Sequence, residues 1–335
     1  MHSVEELEER LSRPSPALVS DLAGLDGDIL VLGAGGKLGP SLVRLALRAA
    51  EGRKSVIAVS RFSNPTHADD LAKAGAKIIS ADITDDAALA ALPDVANVIF
   101  LVGSKFGSTG REAETWYTNA YLPGRAAERF RASRLVALST GNVYPFTPVA
   151  SGGPDETASP GPVGEYAMSC LGRERIFARF AAKHGTPLAL VRLNYAVEMR
   201  YGVLVDIGRK VLAGEPVDVT MSAVNVIWQG YANEVILRAL RHATPEPFVL
   251  NLAGPETLSV RQLAAAFGAQ LGVEPHIAGE EASAALLSNS AKCMRLFGYP
   301  EVTPAELIEW TAGWLRAGLP LLNKPTGFQK RDGKF

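Results

Sequence analysis

The sequence predicts an α/β fold: a doubly wound parallel sheet with a smaller C-terminal lobe. Three observations predict it. Short apolar runs alternate with helical segments from residue 28 to about residue 195. Those runs are apolar on both faces, as strands covered by helices on each side must be. A glycine-rich turn follows the first run at once and opens the next helix.

Residues 1–26 read as a helical extension that docks and carries no chemistry. Ser3 followed by Glu6 is a capping-box pattern, and Val4, Leu7 and Leu11 share one helical face. Arg13-Pro14-Ser15-Pro16 ends that helix. Asp28–Leu32 is the first strand, and Pro40–Ala50 the helix after the turn. Val56–Ser60, Lys77–Ser80, Val98–Val102, Leu135–Ser139 and Leu188–Arg192 are the next strands. A short helix ends at 71–76, and longer ones span 111–131 and 165–183. After residue 195 the alternation loosens. Val203–Leu212, Val260–Leu271 and 305–317 read as helices, the last with Leu307, Ile308, Thr311, Trp314 and Leu315 along one side. The sheet domain is then 27–194 plus about 222–253. The smaller lobe is about 195–221 plus 254–321, and 322–335 is a polar tail.

Composition narrows the function. The 335 residues carry 34 basic and 35 acidic side chains, net −1, so no global charge draws the chain to nucleic acid or anionic lipid. Hydrophobic residues at 47% give ample core and exclude disorder. Two cysteines build no disulfide framework, which fits a reducing, cytoplasmic setting. The start MHSVEELEER lacks the apolar core of a signal peptide. No run of about 18 apolar residues exists, so no membrane span is expected. Five scattered histidines show no metal-ligand spacing. In the tail, Lys324, Lys330, Arg331 and Lys334 are too few for nucleic-acid binding. Phe328 and Phe335 would anchor the tail as a flap; a mobile end is the other reading.

Gly33-x-x-Gly36-x-x-Gly39, with Gly35, Lys37 and Leu38 inside it, lies between strand and helix. Glycines let the backbone turn tightly and approach a pyrophosphate, which the helix N-terminus then meets with N–H groups and its positive end. A second strand about 20 residues on completes the setting. The sheet domain therefore reads as a Rossmann-type dinucleotide-binding domain. An acid at the end of the second strand would accept from the adenosine ribose of NAD. Ser60-Arg61 stands there instead. Arg61 suits a 2′-phosphate, Ser60 adds a hydroxyl and Lys37 adds charge, so NADP is favoured over NAD. A solvated Arg61 is the plainer reading. Asp82-Ile83 meets the adenine, or Asp82 caps the next helix. Val102 and Gly103 end the fourth strand beside the cofactor. Lys105 is a spare cation there, or a surface lysine.

These residues resemble an extended short-chain dehydrogenase/reductase of the NAD-dependent epimerase/dehydratase family over about 27–320. The glycine loop matches, Ser139-Thr140-Gly141-Asn142-Val143-Tyr144 resembles the family's fifth-strand segment, and Arg192-Leu193-Asn194 its sixth. Tyr166-Ala167-Met168-Ser169-Cys170 falls where the family has Tyr-x-x-x-Lys. The resemblance implies Tyr166 as general acid/base, with Thr140 holding the substrate oxygen. It also implies a lysine that bonds the nicotinamide ribose and lowers the tyrosine pKa from about 10 toward neutrality. That lysine is Cys170 here, and no tyrosine in the chain has a lysine four residues on. Three accounts stay open. Another cation substitutes, Arg173 one turn further being a candidate. The protein binds dinucleotide without turnover, as a sensor or accessory subunit. Or Cys170 is itself reactive, which needs a lowered thiol pKa.

The resemblance further points to Asn194 and Glu165 at the substrate, and to Asn119 as an anchor of the active-site backbone. For Asn194 a turn-stabilising amide, and for Glu165 a solvated first-turn carboxylate, are the alternatives. Met199-Arg200-Tyr201 puts Arg200 over the cleft, where an anionic substrate would suit it. Trp228 and Gln229 line the cleft or pack between the lobes. The reading is an NAD(P)-dependent epimerase, dehydratase or reductase acting on a sugar, polyol or related carbonyl compound. Its partner is a small-molecule substrate. Helices 111–131 and 165–183 are where relatives form homodimers.

Overall fold

The computed structural model describes residues 1–63, 65–105, 107 and 109–334. Its main sheet has strands β1 (Ile29–Leu32), β2 (Val56–Ser60), β3 (Lys77–Ser80), β4 (Asn97–Phe100), β5 (Arg134–Thr140), β6 (Leu188–Leu193) and β7 (Phe248–Leu252). Their order in space is β3-β2-β1-β4-β5-β6-β7, with every neighbouring pair parallel. The order reverses between β1 and β4, and a crevice opens at their carboxyl ends. The register sets Val31 beside both Ala58 and Ile99.

Around the sheet run α1 (Val4–Leu11), α2 (Pro16–Ala23), α3 (Gly39–Ala50), α4 (Pro65–Lys73), α5 (Asp86–Ala90), α6 (Glu112–Trp116) and α7 (Leu122–Arg129). They are followed by α8 (Gly164–His184), α9 (Val203–Leu212), α10 (Gln229–Arg238), α11 (Val260–Leu271), α12 (Ala291–Phe297) and α13 (Pro304–Arg316). Alternate residues of β1 face opposite layers. Ile29 and Val31 meet Leu42, Ala46 and Val235 on one side. Leu30 and Leu32 meet Leu122 and Phe177 on the other. A third core joins Ile207, Phe267 and Trp314 of the C-terminal lobe to Leu7 and Leu11 of α1.

Helices α10 and α12 go beyond the sequence reading, and three further elements differ from it. The Pro14-Ser15-Pro16 step ends one helix and starts another: Ser15 accepts from the Leu18 N–H at 3.1 Å and Pro16 opens α2. Phe248–Leu252 is a seventh strand beside β6. The helix expected over 111–131 contains a π-helical turn at Tyr117–Tyr121 that separates α6 from α7. Asn119 sits in that turn.

Candidate active site

The glycine loop is tied to β2, because Gly33 and Ala34 both donate to the Val59 carbonyl, at 2.9 and 3.1 Å. Gly33 has φ +86°, a region that favours glycine. A side chain at Gly39 would bring Cβ to 2.2 Å from the Ala34 carbonyl oxygen, which is backbone and cannot yield. One at Gly35 would stand 2.7 Å from Ser60 Oγ. Gly36 closes the turn on the Gly33 carbonyl at 3.0 Å. Leu38 precedes α3 and gives it no side-chain cap, so the first amides of α3 face the crevice as an anion site. These residues fit the diphosphate of a dinucleotide.

Lys37 leaves this loop and crosses the cleft. Its Nζ donates to the Ala196 carbonyl at 3.1 Å and stands 3.6 Å from the Tyr201 ring centre. Burial, partly offset by the Glu198 carboxylate, brings its pKa down to about 7. At the other end of the crevice Arg61 is exposed, with Nη1 3.9 Å from Asp82 Oδ2. Asp82 accepts from the Thr84 hydroxyl and N–H at 2.7 and 3.0 Å, which lowers its pKa. The helix-cap reading of Asp82 is corrected: Asp85 caps α5, accepting from Ala88 N–H at 2.7 Å. Ile83 is buried in the core beside β2. Val102 packs against Gly33, and Gly103 against Arg173, whose Nη2 a side chain at Gly103 would meet at 2.8 Å.

The carboxyl end of β5 and the first turns of α8 bring Thr140, Tyr166 and Cys170 together. The Tyr166 hydroxyl is hydrogen-bonded to Thr140 and contacts the Cys170 thiol. Thr140 Oγ1 also accepts from the Asn142 N–H and side-chain amide at 3.2 and 3.0 Å. Burial, then the thiol, pushes the Tyr166 phenol up; Arg173 and Thr140 oppose this. Burial likewise pushes the Cys170 thiol up, the opposite of what a reactive thiolate needs. Arg173 is buried and fully engaged. It donates to the Asn119 carbonyl at 3.2 Å, to Asn119 Oδ1 at 2.8 Å and to the Leu138 carbonyl at 2.8 Å. Asn119 in turn accepts from Ser104 N–H and donates to the Ser104 carbonyl, both at 2.8 Å. The π-helical turn thereby holds the backbone after β4.

Asn194 is 2% exposed, and its Nδ2 has no hydrogen-bond partner among the described residues. A buried amide donor of this kind calls for a bound group or an ordered water. It lines one cleft with Lys37, Leu38, Lys105, Thr140, Tyr166 and Tyr195. Glu165 stands apart, accepting from Trp116 Nε1 at 2.5 Å. Arg200 is held by Glu8 at 2.7 Å and Glu198 at 3.1 Å, so its charge is already matched. Trp228 packs edge-on against Trp310, and Gln229 donates to Ser41 Oγ at 3.0 Å. Both serve packing.

The tail is an ordered flap. Thr326 donates to Asp206 Oδ2 through N–H and hydroxyl, at 2.8 and 2.6 Å. Phe328 is buried, and Arg331 donates to the Ala284 carbonyl at 2.8 Å. Phe335 lies outside the described residues. Sequence reasoning missed Thr326 and Tyr195 as cleft residues. Nothing marks Thr326 in a polar segment; Tyr195 has φ +49° directly after β6, strain that no residue pattern announces.

The fold has well-covered relatives among solved structures. The Thermus thermophilus UDP-glucose 4-epimerase, in complex with NAD, superposes with a TM-score of 0.71 at 19% identity, over 86% of this chain and 99% of that one. The Bacillus cereus UDP-glucuronic acid 4-epimerase, in complex with UDP-glucuronic acid and NAD, gives 0.71 at 18%, over 86% and 99%. The Thermotoga maritima UDP-glucose 4-epimerase with UDP-glucose gives 0.68 at 19%, over 87% and 99%. No curated protein sequence matches the chain. The model of the NAD dependent epimerase/dehydratase family matches residues 29–203, from β1 through β6 to the start of α9. The chain belongs to the NAD dependent epimerase/dehydratase family.

Proposed function

We propose that the protein is a nicotinamide-dinucleotide-dependent epimerase, dehydratase or reductase acting on a sugar, polyol or related carbonyl compound. The observation that carries this reading is the Tyr166–Thr140 hydrogen bond in a cleft whose opposite wall is the glycine loop. When bound, the dinucleotide supplies hydride transfer. Gly33, Gly36, Gly39 and the first amides of α3 would hold its diphosphate. Thr140 would hold the substrate oxygen, and Tyr166 would give a proton to that oxygen or take one from it. The Asn194 amide would donate to a substrate or ribose oxygen. The solved neighbours that carry sugar nucleotides make UDP-glucose and UDP-glucuronic acid the first substrates to try.

Cofactor choice rests on Arg61 and Ser60. Their position favours a 2′-phosphate, although Asp82 beside Arg61 offsets part of the charge. In calorimetric titrations NADPH should bind roughly tenfold tighter than NADH, about one charge-assisted hydrogen bond. Arg61→Ala should erase that difference. Equal or reversed affinities would assign the NAD carried by the solved neighbours. Silence of both, in reduced and oxidised forms, would overturn the dinucleotide reading.

A second reading has an observation of its own. A tyrosine raised by burial, and then by a neighbouring thiol, is poorly tuned as a base, which supports a weakened, dinucleotide-binding sensor or accessory subunit. Tight dinucleotide binding with no turnover of any carbonyl or sugar substrate would favour it.

The homodimer belongs to the same proposal. Trp116, Tyr121, Val163 and Met168 are exposed apolar side chains on α6, the π-helical turn and the start of α8, a patch that a second copy would cover. Sedimentation should give a dimer, and Tyr121→Asp with Met168→Asp a monomer. A monomeric unaltered chain would remove the proposal.

A further inference from the structure

The family pattern puts an ammonium four residues after the tyrosine, and this chain has a neutral, buried thiol there. We propose that Lys105, from the loop after β4, supplies the positive charge at Tyr166 that the chain lacks at position 170. The inference rests on Tyr166 as the proton carrier.

The geometry separates Lys105 from the other cations. Arg173 shares a helix face with Tyr166 and Cys170 and its charge favours the phenolate, but its guanidinium is fixed on Asn119 and the Leu138 carbonyl beneath Gly103, where the motif cation would not stand. Lys37 stands over the Tyr201 ring and donates to the Ala196 carbonyl. Lys105 brings its ammonium to 5.9 Å from the centre of the Tyr166 ring. A cation at that distance is attracted to the ring and favours the phenolate over the phenol.

Its placement is built by two elements that the motif does not use. Lys105 Nζ donates to the Thr326 carbonyl at 3.3 Å. Thr326 is fixed in turn by its two bonds to Asp206 on α9. The flap thus holds the ammonium over the tyrosine. The ionisable groups facing Lys105 are Tyr166 and Cys170 on α8, Asp206 on α9, Lys330 on the flap and Lys37 in the glycine loop. Burial and Lys330 lower its pKa, opposed by Cys170 and Asp206, to about 8. The charge is therefore present at neutral pH and is lost just above it.

The test needs no substrate. Tyrosinate absorbance is followed against pH in the full chain, and subtraction of the Tyr166→Phe curve isolates Tyr166. Lys105→Arg, which stays charged where tyrosines titrate, should lower the Tyr166 midpoint by about one pH unit relative to Lys105→Met, as expected for a close opposite charge. The unaltered chain should match Lys105→Met there, because Lys105 has lost its own proton below that range. Adding Cys170→Lys to Lys105→Met should lower the midpoint as well, because the motif cation then returns. Lys105→Gln serves where the methionine variant fails to fold. Identical midpoints for Lys105→Arg and Lys105→Met overturn the inference. So does a Tyr166 that stays silent up to the alkaline unfolding limit in Lys105→Arg. A failed dinucleotide titration would remove the proposed function and leave these curves readable. Unmoved midpoints with intact dinucleotide binding would remove the role of Lys105 alone.

Discussion

Tyr166→Phe is expected to cut turnover at least about a hundredfold, the usual worth of a positioned acid/base, with little change in dinucleotide affinity. The phenylalanine keeps the ring against Thr140 and Cys170 and removes the proton. Steady-state rates with sugar-nucleotide substrates check the first part, and calorimetry the second. Retained turnover would mean that the proton travels through another group. Cys170→Ala is the companion measurement. The thiol is buried and its pKa is raised, so the alanine variant should keep its activity. An inactive Cys170→Ala would return the thiol to the chemistry. The pH profile has a sign as well. A tyrosine raised by burial is scarce as phenolate at neutral pH, so rates should climb with pH. They should stop climbing near pH 8, where Lys105 loses its proton.

What was legible in the sequence is what short-range chemistry decides. Val56–Ser60 is a continuous buried run fit for a doubly covered sheet, Lys77–Ser80 is the half-exposed edge strand, and both stand where the sequence placed them. The glycine loop was legible because its constraint is local: Gly39 lies against Ala34, five residues back. Thr140 and Tyr166 were placed by motif spacing and do meet. What escaped depends on partners distant in sequence. Arg200 looked like a charge over the cleft, yet its carboxylate partner Glu8 is 192 positions away. Lys105 was ambiguous because its anchor, Thr326, is 221 positions on. Asp82 and Asp85 are equally good caps by type, and the backbone path after β3 chose Asp85. The π-helical turn at Tyr117–Tyr121 has no composition signal, since it arises where Asn119 must reach the backbone of Ser104.

Arg192→Met should destabilise the fold by about 3–5 kcal/mol, the cost of leaving a buried carboxylate alone. Arg192 on β6 is 6% exposed and Glu174 on α8 is 4% exposed. They form a two-pronged pair, Nε to Oε1 at 2.9 Å and Nη2 to Oε2 at 2.7 Å. Glu174 Oε1 also accepts from the Ser139 hydroxyl at 2.6 Å, and Arg192 Nη1 donates to the Tyr144 hydroxyl at 2.6 Å. The Tyr144 hydroxyl donates in turn to Asn251 Oδ1 at 2.9 Å on β7. One network therefore binds β5, β6, β7 and α8 directly beneath Thr140 and Tyr166. Denaturant unfolding measures the loss, read as a lower midpoint at unchanged slope. Arg192→Met with Glu174→Leu should recover most of the stability, because two apolar groups leave no buried charge. A single variant as stable as the unaltered chain would mean that water reaches Glu174. The double variant also separates stability from function. If it folds well and still turns over slowly, the network sets the distance between the Thr140 strand and the Tyr166 helix, and its retention in this chain concerns catalytic geometry more than stability.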